Sequence, residues 1–199
     1  MAISNDGRRV ASATDENDID LSQIDPTLNG FGKTLLTLTG HTGVITSINF
    51  SQDDSLLVTG SLDNSVIIWG VDSNFKDKYG KMLVKLLGHN GFIRDACFSP
   101  DMNFVVTASI IKHLTSFAYG AIIWSFNNKL GKYKAIKKLV HPSEILSLRY
   151  SLDGKMLAAF CKPNYGYIWN TDIQSDNFGN KIVKLANVKT DWIKKYIIR

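Results

Sequence analysis

Gly40-His41-Thr42-Gly43-Val44-Ile45-Thr46-Ser47-Ile48-Asn49-Phe50 is followed at once by Ser51-Gln52-Asp53-Asp54. The stretch closes on Ser61-Leu62-Asp63-Asn64-Ser65-Val66-Ile67-Ile68-Trp69. These residues decide the fold. Period-two geometry puts Val44, Thr46, Ile48 and Phe50 on one face of a strand. The Ser51–Asp54 turn leads to a second β-rich run, Leu56-Leu57-Val58-Thr59-Gly60-Ser61. Leu62-Asp63-Asn64 reads as a tight turn into Val66-Ile67-Ile68-Trp69, and a polar stretch with Gly80 precedes Met82-Leu83-Val84-Lys85-Leu86-Leu87. The unit is a four-stranded antiparallel meander. Alone it leaves apolar faces and strand edges in water, so units of this kind must stack.

The rest of the chain repeats the pattern. Gly40-His41, Gly88-His89 and Val140-His141 are spaced 48 and 52 residues apart, and ten residues beyond each histidine stand Ser51-Gln52-Asp53, Ser99-Pro100-Asp101 and Ser151-Leu152-Asp153. Ser4-Asn5-Asp6 is a fourth copy of that punctuation. Twenty residues after the histidines come Ser61, Ser109 and Cys161, with Trp69, Trp124 and Trp169 further on.

Gly40-His41, Ser61-Leu62-Asp63 and Val66-Ile67-Ile68-Trp69 together resemble a WD40 repeat, the blade of a β-propeller, with Gly70 in place of the acidic residue that usually follows the tryptophan. The resemblance implies an all-β fold of three complete four-stranded blades plus a split or incomplete fourth. It also implies a structural tetrad, His41, Ser61, Asp63 and Trp69, tying the turns together by hydrogen bonds. A buried indole N–H needs an acceptor, a hydroxyl donates and accepts, and a carboxylate can fix the histidine loop.

The later copies are worn. The second has His89, Ser109 and Trp124, with residues 110–119 expanding the turn where the aspartate belongs; the third has His141 and Trp169, with Cys161 for the serine and Pro163 for the aspartate. The N-terminal copy offers Thr14, Glu16 and Ser22 at these positions. The expected organisation is a partial blade at 1–40, blades at 41–88, 89–140 and 141–186, and the first strand of a further or shared blade at 187–199. The partial blade supplies three strands with no first strand before them. Seven repeats of ~40–45 residues would need roughly 300 residues, so the expectation is an incompletely closed ring or a piece of a longer propeller.

Composition agrees with a folded chain: 44% apolar, 11% aromatic and 21% charged residues among 199. No run of eighteen apolar residues suits a membrane-spanning helix, and no signal peptide is visible. Two cysteines make no disulfide framework, so a cytoplasmic location, with the nucleus as alternative, is expected. The net charge of +5 is uneven. Residues 1–25 carry six acids against two arginines, and residues 125–199 carry fourteen Lys and Arg against five acids.

No unique catalytic set, metal site or cofactor motif is found. Ser, His and Asp together suggest a hydrolase, but a catalytic triad occurs once and this set recurs. The expected function is a non-catalytic protein-interaction scaffold binding peptides or domains on its loop face. The alternative is a propeller that binds nucleic acid or an anionic surface through its basic C-terminal half. The insertion supplies the candidate contact: Ile111, Lys112, His113, Leu114, Phe117 and Tyr119 carry more apolar surface than a solvent loop needs. Self-association, or completion of the ring by further repeats, is the remaining expectation about partners.

Overall fold

The computed structural model describes residues 1–112, 117–127 and 132–186, side chains excepted at 111–112, 117–119 and 127. Sixteen strands form four four-stranded antiparallel sheets, each in sequence order, and no helix occurs among the described residues. The first sheet is β1 (Ala2–Ile3), β2 (Arg9–Ala13), β3 (Ile19–Gln23) and β4 (Thr34–Leu38); the second is β5 (Ile45–Phe50), β6 (Leu56–Ser61), β7 (Val66–Gly70) and β8 (Met82–Leu86). The third is β9 (Phe92–Phe98), β10 (Phe104–Lys112), β11 (Phe117–Asn127) and β12 (Lys132–His141); the fourth is β13 (Ile145–Tyr150), β14 (Met156–Cys161), β15 (Tyr165–Asn170) and β16 (Lys181–Leu185). Among the described residues the four sheets do not close into a ring.

Two expectations need correction. The first sheet does have an inner strand: β1 pairs Ala2 with Ala11 and Ile3 with Val10, a pairing too short to register as a periodic pattern in the sequence. Val44 does not share a strand face with Ile48 and Phe50. It lies outside β5 and is 59% exposed, because a bulge between Ile45 and Ser47 breaks the simple alternation at that end of the strand.

The recurrent Ser-x-Asp has a local cause. Ser4, Ser51, Ser99 and Ser151 each donate Oγ–H to the aspartate two residues on, at 2.5–2.7 Å. Each hydroxyl then accepts the backbone N–H five residues on. The turn is thereby locked between inner and second strands. Its third residue after the serine is left-handed every time: Gly7 (φ 70°), Asp54 (φ 58°), Met102 (φ 58°) and Gly154 (φ 70°).

Sheets stack through three apolar layers. Ala11, Ile19, Leu21 and Leu38 of the first sheet meet Ile48, Leu57, Ile67 and Trp69 of the second. Val58, Val66 and Ile68 on the opposite face of the second meet Ile93, Ala96 and Trp124 of the third. Val106, Ala108 and Ile123 of the third then meet Leu148, Leu157, Ala159 and Trp169 of the fourth. Burying a side chain of this size stabilises by about 1.5–3 kcal/mol, so these layers hold the stack.

Polar ties fix how neighbouring sheets sit. Asp54 accepts the backbone N–H groups of Asn5 and Asp6 at 2.7 and 2.9 Å, and Arg9 donates across the same junction to the carbonyls of Asp54 and Val71. Asp95, buried on β9, accepts from Asn49 of the second sheet and from the Leu148 N–H and Arg149 guanidinium of the fourth.

Candidate functional site

The histidine loops, at the end of the sheets opposite the Ser-x-Asp turns, hold a connected polar constellation. In the second sheet His41 Nδ1 lies 2.9 Å from Asp63 Oδ2 and Nε2 lies 2.9 Å from Thr59 Oγ1, while Trp69 Nε1 donates to that same Thr59 oxygen at 2.9 Å. A carboxylate only accepts, so Nδ1 carries the proton and Nε2 accepts from the threonine hydroxyl. The chain of donation therefore runs from Trp69 N–H to Thr59, from Thr59 O–H to His41, and from His41 N–H to Asp63.

The hydroxyl in this relay is Thr59, not Ser61. Ser61 is buried but donates to the Gly43 carbonyl at 2.7 Å and accepts the Asp63 N–H at 3.1 Å, so it shapes the two loops beside the relay. The physical reason is where the side chains reach: Thr59 Oγ1 lies within hydrogen-bond distance of both rings, and Ser61 sits further toward the turn. A signal was available in the sequence. Thr59 and Thr107 both stand eighteen residues after their histidines.

Asp63 is held on all sides. Burial would raise its carboxyl, but Ser65 Oγ at 2.6 Å, the Thr42 N–H at 3.0 Å, His41 and the Ser65 N–H at 2.8 Å outweigh that and hold it well below the usual carboxylate range. His41 is pushed below its ordinary value by burial, with the Asp63 carboxylate pulling the other way.

The third sheet keeps the inner half of this arrangement. His89 Nε2 meets Thr107 Oγ1, and Trp124 Nε1 donates to the same oxygen at 2.8 Å. Ser109 is buried two residues beyond Thr107 and stands to it as Ser61 stands to Thr59. Burial, reinforced by Lys138, pushes His89 down to about 4.

In the fourth sheet the relay is gone. Ala159 occupies the threonine position, and Pro163 the aspartate position. His141 instead donates Nδ1–H to the Ser143 carbonyl at 2.6 Å, leaving Nε2 3.7 Å from Cys161 Sγ. The ring is packed edge-on against Tyr167 and Trp169, with centroids 4.2 and 5.7 Å away. Burial pushes the Cys161 thiol up to about 12 and the Cys97 thiol higher still, so neither is a thiolate nucleophile at neutral pH.

The insertion residues fall mainly outside the description: His113 and Leu114 entirely, and Ile111, Lys112, Phe117 and Tyr119 in their side chains. Their backbone pairing is seen, with Ile110 opposite Tyr119, Ile111 opposite Ala118 and Lys112 opposite Phe117. Ile110, Ile111 and Lys112 thus lengthen β10 against Phe117, Ala118 and Tyr119 of β11, and Tyr119 also pairs with His141 at the end of β12.

Gly70, the departure after Trp69, also has a cause. The loop from Asp72 to Gly80 folds back on the strand so closely that a Cβ at Gly70 would strike the Lys78 carbonyl. Gly80 N–H bonds Gly70 O at 2.8 Å and Gly70 N–H bonds Lys81 O at 3.1 Å, pinning the loop there.

Among known sequences, residues 32–70 and 80–110 match the family model described as WD domain, G-beta repeat. The chain is similar to Protein HIRA of Oryza sativa subsp. japonica, 51% identical over 39 residues, which is 20% of this chain and 4% of that protein. It is also similar to Pre-mRNA-processing factor 19 of the same organism, 55% identical over 38 residues, 19% of this chain and 7% of that protein. The matched stretch is thus less than a tenth of the length of either relative. The His–Thr–Trp relay of the second sheet, and His89 and Thr107 of the third, thus lie within the two segments that match WD40 repeats.

Proposed function

We propose that the chain is a non-catalytic protein-interaction scaffold whose contact surface includes the hairpin of β10 and β11 on the histidine-loop face. The observation that carries this reading is the length of that hairpin. β10 and β11 run nine and eleven residues, against five or six for the second and third strands of every other sheet. Strands that outrun their neighbours lift residues beyond the sheet stack, and here the lifted sequence is rich in apolar and aromatic side chains. A polar relay that is internally satisfied and buried is suited to holding loops rigid, not to proton transfer with a substrate.

Protein partners also fit the resemblance to Protein HIRA and Pre-mRNA-processing factor 19, and a cytoplasmic or nuclear location belongs with this reading, since both cysteines are free and buried. Further repeats are a second partner class. Ile168 and Val183, partly exposed on the far face of the fourth sheet, give it an apolar character suited to another blade.

A photo-cross-linking residue placed at position 114 tests the proposal against the same residue at exposed Lys155 on the opposite face. Protein adducts from 114 and not from 155 are expected, and they should survive moderate salt. Adducts only from 155 would move the surface. Capture that collapses between low and moderate salt would favour an anionic partner instead.

A further inference from the structure

The opposite end of the stack carries a second surface. Between the second and third sheets, on the side of the Ser-x-Asp turns, lies a groove of about 590 Å³, within the range of ordinary ligand sites. Its floor is apolar, formed by Leu56, Ile68 and Val84 of the second sheet and Phe126 and Tyr133 of the third. Phe75 stands at its edge 58% exposed, on the loop pinned against Gly70, so one wall is preorganised. Asp53, Asp72 and Asp101 ring the mouth, opposed among the described lining residues by one cation, Lys78.

We infer that this groove binds a short segment of a partner protein in which an apolar side chain is flanked by arginine or lysine. The charge around the mouth selects the flank. Hydrogen bonds from Ser51, the Ser55 N–H and the Ser55 hydroxyl outweigh the effect of burial on Asp53, and those from Ser99 and Asn103 do so on Asp101. Both carboxyls are therefore held below their ordinary range, and the mouth stays negative across neutral and mildly acidic pH. An acidic segment would meet repulsion there, and a purely apolar one would leave the carboxylates desolvated without a partner.

Met102 gives independent support. It lines the groove from the left-handed turn position that glycine fills in the first and fourth sheets. A methionine there carries backbone strain that glycine would relieve, and its thioether is an adaptable surface for an apolar guest.

Fluorescence polarisation of the full chain with a labelled peptide, Ala-Leu-Arg-Leu-Arg-Ala, tests the inference beside its glutamate counterpart, Ala-Leu-Glu-Leu-Glu-Ala. The arginine peptide is expected to bind, and to weaken with salt. Phe75→Ala and Asp72→Lys should each weaken it roughly tenfold. Met102→Gly should weaken it too while raising the melting temperature by roughly 2–4 °C, a divergence that damage to the fold cannot produce. Shortening residues 110–119 should leave it unchanged, which separates this groove from the hairpin surface. Equal binding of the glutamate peptide would overturn the inference. So would indifference to Phe75→Ala and Met102→Gly, or no binding of the arginine peptide at ~1 mM, the weak end of useful affinity.

Discussion

The second and fourth sheets share a backbone plan and differ in what stands behind their tryptophans. Trp69 ends a four-member relay through Thr59 and His41 to Asp63, whereas Trp169 packs against His141 and Tyr167 with alanine and proline where the relay would pass. Both sheets nevertheless form the same meander, with bulges at the same places: before Trp69 and before Trp169, and after Ile45 and after Ile145. Apolar stacking is therefore enough to specify the sheet. The relay does something narrower: it fixes the loops at one end.

Removing the tryptophan is the harshest way to break this comparison. Trp69→Ala should cost about 3–5 kcal/mol in urea unfolding, from the lost volume and the lost N–H bond to Thr59 Oγ1. Trp169→Ala should cost less, since Ala159 offers its indole no hydroxyl and no relay bond is lost. Equal losses would show that packing alone accounts for both.

Acid separates the histidines next. His89 is held down to about 4, so its folded form favours the neutral ring relative to the unfolded chain. The stability it confers is complete above the ordinary histidine value near 6.5, and is lost as pH falls from there toward 4. The loss is on the order of 3 kcal/mol. His41 has the same sign, but Asp63 opposes its shift. Stability measured from pH 7 to 4 should flatten more in His89→Gln than in His41→Gln. A larger effect at His41 would mean that Asp63 does not offset its burial.

The gentlest test moves the relay's node between sheets. Thr59→Val leaves the Trp69 N–H and His41 Nε2 without a partner, and should cost about 1–3 kcal/mol. Ala159→Thr in the fourth sheet gives Trp169 and His141 a hydroxyl, and should gain up to about 1 kcal/mol if the ring of His141 can keep its bond to Ser143. Destabilisation by Ala159→Thr would show that the fourth sheet has repacked around the loss.

Much of this was legible beforehand, for physical reasons. Strands such as β4 and β6 are β-rich runs bounded by turn residues, and their limits follow from those signals. The two-residue β1 carries no period and is held by pairing with β2. At the relay, the offsets from the histidine pointed equally to Thr59 and Ser61. Both are buried hydroxyls on alternate positions of one strand, and only the reach to the His41 and Trp69 rings separates them. The groove lined by Phe75 and Met102 left no trace in the pattern, because its residues come from loops and strand ends of two sheets.

Asp95 has a consequence for how the stack comes apart. In a row of repeats where each unit touches only its neighbours, melting can begin at an end and travel inward one unit at a time. A single buried carboxylate bonded to Asn49 on one side and to Leu148 and Arg149 on the other makes three units answerable to one side chain. Peeling the fourth sheet away uncovers that charge and slackens its hold on the second as well. Fraying from the C-terminal side should therefore give way to a concerted transition spanning the last three sheets.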